Sequence, residues 1–395
     1  MMSGINILLY ELVQVAVGRR LCLSRTPSEC EWNQLFQASK MHALLGVCFY
    51  GVHLLHVHEQ LVNMPHRLKM QWLAAAMQIK QRNEIVNQRC IHLHNLLKNA
   101  GFNNLILKGQ GIAQLYNSTV SDSKVNDLSF YRQSGDIDVW VDATKDEVIE
   151  FVAMQQYTDE FDEKHIHFDY FDDVPVELHW IPVKKWNPRW NKILKEYFNK
   201  EKGRQFIEFD NDFCCPTVDF QLVHQLLHVQ GHFISGGIGV RQIMDLYFAQ
   251  ISCVTQMPER IPEVLQLFKR MNMLKFVAAL QWVLNEVFQL NGEDSNLLIC
   301  DPDEREGRML LNEIEIGGNF GQHNRQNKTQ GHNYLVRFWI KWRRKLKLIR
   351  FDTFGAIVMP FARFGLEISH IIKRRRLKSK FIDGKVCKVT DKICH

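Results

Sequence analysis

Three acids lie in apolar surroundings at spacings that suit a bound cation. In Gly135-Asp136-Ile137-Asp138-Val139-Trp140-Val141, the alternation of a strand puts Asp136 and Asp138 on one face, about 6–7 Å apart along the chain. Ile137 and Val139 then turn to the core. Glu177 sits in Val176-Glu177-Leu178-His179-Trp180, just after Val174, where an unpaired carboxylate would be expensive to bury. Two carboxylates on one face plus a third on a neighbouring apolar run make a Mg²⁺ (or Mn²⁺) site, because hard divalent ions take carboxylate oxygens and substrate phosphates. Asp136, Asp138 and Glu177 are therefore the candidate metal ligands and the candidate catalytic residues. Lys108 ends the apolar run Leu105-Ile106-Leu107, where it can meet a phosphate as a point charge, and Gly109 lets a ligand come close to the backbone.

These residues need strands and turns to hold them. The pattern predicts a strand over 103–109, then a short helix over 110–116, which begins at Gln110 and turns free amides toward anything bound at Gly109. Residues 117–134, rich in Ser, Asp and Asn, read as a loop. After the aspartate strand, Thr144 caps a helix over 144–157 with Val148, Phe151 and Val152 turned inward. Residues 164–171 alternate as a strand, with His165, His167 and Asp169 on one face and Ile166, Phe168 and Tyr170 on the other; Asp172-Asp173 then turns it into the Glu177 strand as a hairpin. Upstream, the apolar spacing from Ser28 to Leu55, with Glu31 at capping-box distance, predicts helix, and a long helix runs from Pro65 to the stop at Gly101. Downstream, helices are predicted over 217–231, 240–252, 261–271 and 274–290.

The residues Lys108-Gly109, Arg132, Gly135-Asp136-Ile137-Asp138 and Val176-Glu177-Leu178-His179-Trp180, in that order, resemble the polymerase-beta-type nucleotidyltransferase superfamily. More narrowly, they resemble uncharacterised bacterial nucleotidyltransferase family proteins, often encoded near surface-glycan or peptide-modification genes. The resemblance covers roughly residues 30 to 250. It implies an α+β fold, a small mixed sheet packed on helices, whose first strand ends in a glycine turn and whose second carries the metal-binding pair. It also implies transfer of a nucleoside monophosphate from an NTP, ATP among them, to a hydroxyl or phosphate of a small molecule, glycan precursor or peptide. The sequence departs from the superfamily in having Gln110 after Gly109, where Gly-Ser or Gly-Gly is usual, and in placing the acid pair farther downstream of the turn.

With that chemistry in view, Asp136 and Asp138 would bridge two ions, and Glu177 would complete the shell of the ion that activates the attacking hydroxyl or would act as base. The nucleotide-binding candidates are Lys108, Gly109, Gln110 and Arg132, the last placed to clamp a phosphate or to neutralise the carboxylates. His224, His228 and His232 recur every fourth residue on one helix face, without the Glu of a His-Glu-x-x-His zinc motif. Arg241 and Asp245 stand four apart on the next helix and read as a pair facing His228. A polar network and an acceptor pocket both fit this set; the pocket candidates are His179, His228, Arg241 and Asp245.

The organisation expected is a helical N-terminal region over 1–96, a nucleotidyltransferase core over 97–210, a helical domain over 211–316, a linker over 317–331 and a basic helical segment over 332–395. At 395 residues and 46% hydrophobic content the chain has ample material for a core, which excludes a disordered class. Ten cysteines without a C-x-x-C pair predict reduced thiols and a cytoplasmic protein rather than a zinc ribbon or a secreted disulfide framework. Residues 5–17 read as an amphipathic helix, and no spanning segment is expected. The net charge of +6 gathers toward the C-terminus, in Lys341-Trp342-Arg343-Arg344-Lys345-Leu346-Lys347 and Lys373-Arg374-Arg375-Arg376-Leu377-Lys378. Basic, aromatic helices of this kind lie on anionic membrane surfaces, so peripheral contact with the inner face of the membrane is one expectation and a solvated helix pair the other. No base-reading motif accompanies the charge, so nucleic acid is not an expected partner. Beside the enzyme stands a second reading, a catalytically silent nucleotide-binding or scaffold protein of a membrane-proximal biosynthetic assembly.

Overall fold

A computed structural model of the chain describes residues 4–60, 62–118, 128–155, 161–200, 206–208, 213–323 and 334–358. Tertiary contacts divide the chain into two units, Met1–Lys328 and Thr329–His395. The first unit opens with helices α1 (Gly4–Ala16), α2 (Glu29–Met41), α3 (Leu45–Val57) and the long α4 (His66–Asn99), which leads into the sheet. The mixed sheet and its connections then follow as β1 (Asn104–Ile106), α5 (Gln110–Ser118), α6 (Leu128–Tyr131), β2 (Ile137–Val141), α7 (Lys145–Met154), β3 (His165–His167) and β4 (Val176–His179). After it come α8 (Pro188–Lys200), β5 (Phe206–Glu208), β6 (Cys214–Pro216), α9 (Val218–Ser235), α10 (Val240–Gln256), α11 (Ile261–Arg270), α12 (Leu274–Phe288) and α13 (Glu304–Gly317).

The sheet order is β1-β2-β4-β3, with β1 antiparallel to β2, β2 parallel to β4 and β4 antiparallel to β3. It is the small mixed sheet of an α+β fold. One face is the core: Ile137, Val139 and Val141 of β2, with Val176 and Leu178 of β4, pack on Val86, Cys90, Leu93 and Leu97 of α4 and on Val148, Phe151 and Val152 of α7. Alternation leaves Asp138 and Trp140 on the opposite face, where Trp140 stacks on Phe220 of α9 at 6.0 Å.

Most expected elements are present, and the differences have physical causes. The first helix is not amphipathic. Every residue from Leu8 to Ala16 is buried, and its polar members find partners inside: Glu11 pairs with Arg20 and accepts from Ser24, and Gln14 donates to the Val287 carbonyl. The run from Ser28 to Leu55 breaks into α2 and α3 at Ala43, whose φ of 58° no helix accommodates. The Ser28–Glu31 and Thr144–Glu147 capping boxes both form. The strand expected over 164–171 is cut to His165–His167; the Phe168 amide still bonds the Val176 carbonyl, but the Tyr170 amide then turns back to the Phe168 carbonyl and ends the ladder. The small β5–β6 pair and helices α8 and α13 were not expected.

In the second unit the basic run over 341–347 lies on α14 (Tyr334–Lys347), with Trp339 exposed but Arg344 and Lys345 buried. The later basic run, Lys373 to Lys378, lies outside the described residues. Among the described residues no helix is long and apolar enough to cross a membrane, and the described cysteines are free thiols.

Candidate active site

Asp138 and Glu177 face each other across the parallel β2–β4 ladder. Asp136 precedes β2 by one residue and projects to the same side, so the three carboxylates gather with ligand oxygens within 4.8 Å of one another. Val176 and Leu178 flank Glu177 with their side chains in the core, as the alternation requires. Asp138 is buried, Glu177 half-buried and Asp136 exposed at the mouth. Lys108, just past β1, reaches across to place Nζ 2.7 Å from Asp138 Oδ1. His179 completes the group, with Nε2 at 3.0 Å from Asp138 Oδ1 and 3.2 Å from Glu177 Oε2.

The electrostatics follow from this crowding. Desolvation and the neighbouring Asp138 charge raise the Asp136 carboxyl above its ordinary range, against a partial offset from Lys108. Burial alone would also raise Asp138, but Lys108 and His179 override it and hold that carboxylate well below the usual range. Burial works against the Lys108 ammonium, yet Asp138, Asp136 and Glu177 together keep it charged at higher pH than a free lysine. Three carboxylates thus answer to one ammonium. That donor set, hard oxygens in excess of the positive charge present, fits a divalent ion.

The carboxylates open into a cleft of about 310 Å³ lined by Lys108, Arg132, Lys164, His228, His232 and Arg241, among others. A second, basic chamber of about 150 Å³ adjoins it, sharing Lys108, Lys164, His228 and His232 and adding Lys184 and Lys185. Helix α9 forms the facing wall. Its rings at every fourth position, Phe220, His224, His228 and His232, continue from Trp140 at one end to Phe320 at the other in successive contacts of 4.3 to 6.2 Å. Burial, with Lys108 next, lowers the imidazoles of His224 to about 3 and His232 to about 4, and His228 likewise falls well below the ordinary value, so the wall is neutral at physiological pH.

Not every nucleotide-binding candidate reaches the cleft. Gln110 is buried and donates to Asn87 Oδ1 at 2.6 Å, so its amide is committed to α4. Gly109 does make the turn, with φ of 56°, and a Cβ there would lie 3.4 Å from the Asp136 carbonyl. Arg132, buried in the wall of the cleft, clamps Asp245 with Nε at 2.7 Å and Nη2 at 2.9 Å; Tyr116 donates to the same carboxylate at 2.6 Å. The expected Arg241–Asp245 pair is therefore replaced: Asp245 takes Arg132, and Arg241 donates to the Gln133 carbonyl and stands over Phe320. Among the acceptor-pocket candidates, His228, Arg241 and Asp245 line the cleft, Asp245 from within its buried pair with Arg132, and His179 touches the carboxylates. Sequence reasoning missed Lys164 and His165 as site residues; the alternation did place His165 on a defined face, and only the hairpin register opposite His179 turns that face toward the acids.

A family model described as "Uncharacterised nucleotidyltransferase" matches residues 28–289, which contain the three carboxylates, Lys108 and the α9 wall of this cleft. The chain belongs to that family. It is accordingly an enzyme of the nucleotidyltransferase class, with a nucleotide as substrate, and divalent metal dependence is typical of such enzymes. No curated protein and no solved structure matches the chain. Within this nucleotidyltransferase the matched span runs from α2 to the end of α12, so the sheet and its α9 wall fall inside it whole.

Proposed function

We propose that this nucleotidyltransferase moves an NMP group from an NTP to a hydroxyl or phosphate acceptor by a two-metal mechanism, with Asp136, Asp138 and Glu177 as the ligands of Mg²⁺ or Mn²⁺. The observation that carries the reading is the in-register pairing of Asp138 with Glu177, with Asp136 on the same face and Lys108 bonded to Asp138. When bound, divalent ions supply Lewis-acid charge at the phosphoryl group and lower the pKa of an attacking hydroxyl. Lys108 is placed to set its ammonium against phosphate oxygens, and the Gly109 turn gives the phosphates close access to the backbone. Lys164 and the basic chamber extend the positive lining away from the carboxylates, along the direction a polyphosphate would take. Arg241 and the neutral α9 imidazoles offer hydrogen bonds to the acceptor, a small molecule, glycan precursor or peptide. Arg132 acts from the cleft wall, holding α10 to the loop that precedes the acid pair.

The exposed aromatic and basic residues of α14 support, separately, a peripheral contact with anionic membrane at the cytoplasmic face. The enzymatic reading is tested by calorimetric titration of the full chain with each NTP, with and without Mg²⁺. Nucleotide binding is expected to strengthen with the metal in the wild type, and Asp138→Asn, with unchanged circular dichroism, is expected to lose that increment. A metal-dependent increment of wild-type size in Asp138→Asn would overturn it.

A further inference from the structure

The carboxylates account for one group of donors on this face; a second group overlaps it. His165, Glu177 and His179 also bring ligand atoms within 4.8 Å of one another. The juxtaposition is built into the hairpin, because His165 and His179 are direct partners in the β3–β4 register and Glu177 lies two residues before His179 on the same face. The two rings stand 4.8 Å apart between centroids.

His179 Nε2 lies within hydrogen-bond distance of Asp138 and Glu177, but the His165 ring is left unmatched. His165 is 7% exposed, and its Nδ1 is a buried nitrogen with no hydrogen-bond partner. It points at Glu177 Oε2 from 3.5 Å and at Asp162 Oδ1 from 3.6 Å, too far to bond either. An orphaned buried nitrogen is an unfavourable arrangement unless something else meets it. Asp162 does not turn to it, since its Oδ1 already accepts the Lys164 and His165 amides. His167 offers only a ring edge at 5.0 Å. Two buried imidazoles and a carboxylate, with ligand atoms within 4.8 Å of one another, are the donor set of a borderline divalent ion, which prefers nitrogen where Mg²⁺ does not.

We propose that His165, His179 and Glu177 bind a nitrogen-preferring transition ion of the Zn²⁺ or Co²⁺ class, beside the three-carboxylate group and sharing Glu177 with it. The face would then hold two unlike positions, one hard and all-oxygen, one mixed nitrogen and oxygen. Glu177 is the hinge between them, with Val176 and Leu178 anchoring the strand on either side. This site does not depend on the nucleotidyl-transfer reading, since it concerns which ion the hairpin takes and not what the cleft does with a nucleotide.

The test uses Co²⁺ as the probe on the full-length, chelator-treated protein, without nucleotide. A single equivalent is expected to produce a visible ligand-field band that survives excess Mg²⁺, because Mg²⁺ competes poorly for imidazole. Asp136→Asn should keep the band. His165→Gln should weaken Co²⁺ binding by more than the ~10–100-fold that loss of an outer-sphere partner produces. Should that variant misfold, the wild-type Co²⁺ protein still decides the matter: its proton NMR spectrum should show paramagnetically shifted, exchangeable imidazole N–H signals. Displacement of all Co²⁺ by Mg²⁺, a band indifferent to His165→Gln, or the absence of shifted imidazole signals would each overturn the proposal.

Discussion

Replacing Glu177 by Gln separates a catalytic carboxylate from a structural one, because the first role shows mainly in rate and the second mainly in stability. Glu177 shares its face with Asp136 and Asp138, their ligand oxygens within 4.8 Å of one another, and its Oε2 stands 3.2 Å from His179 Nε2. Burial and the Asp138 charge press its carboxyl upward, but the His179 hydrogen bond and the His165 and His179 rings outweigh them and hold it below the ordinary range, so the fold favours the charged side chain. Glutamine keeps the shape and an oxygen for His179 while removing the charge, so at neutral pH the variant should lose only up to about 1 kcal/mol in urea unfolding. Its catalytic effect should be far larger. A ligand that acts mainly in the transition state lowers kcat far more than affinity, so pyrophosphate release from NTP should fall about a hundredfold or more, while metal–nucleotide binding stays within about tenfold, roughly 1.4 kcal/mol. The assay is pyrophosphate release with water or a supplied hydroxyl compound as acceptor, run beside calorimetry and urea titration. Gln at wild-type speed, or a loss of stability of 2 kcal/mol or more, would show that Glu177 serves the hairpin and not the reaction.

Two further outcomes are expected. Asp245→Ala leaves the Arg132 guanidinium buried and unanswered and should destabilise by about 3–5 kcal/mol, whereas the double change Arg132→Met with Asp245→Leu should recover most of that; a single-variant cost under ~1 kcal/mol in chemical denaturation would contradict the burial of the pair. For the membrane contact, Arg343→Glu with Lys347→Glu, both exposed on α14, should reduce sedimentation of the protein with phosphatidylserine vesicles, and added salt should reduce wild-type binding in parallel. Binding insensitive to both would leave α14 as a solvated helix.

The sequence carried the parts of this site that are local in the chain. Alternation alone put Asp136 and Asp138 on one side of a strand and gave Glu177 its inward-facing neighbours, and both capping boxes were legible in the spacing of Ser28 with Glu31 and Thr144 with Glu147. What it could not carry was pairing between distant residues. Arg132 and Asp245 are 113 positions apart, so a reading confined to helical neighbours matched Asp245 with Arg241 instead. The His165–His179 meeting depends on hairpin register, which a turn of uncertain length leaves open by a residue or more, and a slip of one would have turned His165 to the core. Gln110 was misplaced for a similar reason: its position at the glycine turn is visible, but the presence of Asn87 behind it is a property of how α4 packs. The burial of α1 escaped because Glu11 and Gln14 looked like the polar side of an amphipathic helix until Arg20 and Val287 supplied their partners.

The facing of Asp138 and Glu177 across parallel strands has a bearing on how much this chain can change around its chemistry. Neighbouring strands lie about 4.7–4.9 Å apart whatever their sequence, so the separation of these two acids is inherited from the backbone ladder and owes little to rotamer choice. The connection from β2 to β4, which carries α7 and β3, therefore need not be of any set length for the acids to meet. Loop-closure entropy rises only logarithmically, by ~0.6 kcal/mol for each doubling. A fluorescent or affinity domain spliced into that connection, beyond the end of α7 and clear of β3, should leave the ladder and its paired donors where they are, which makes the crossover a natural port for attaching a reporter to a working enzyme.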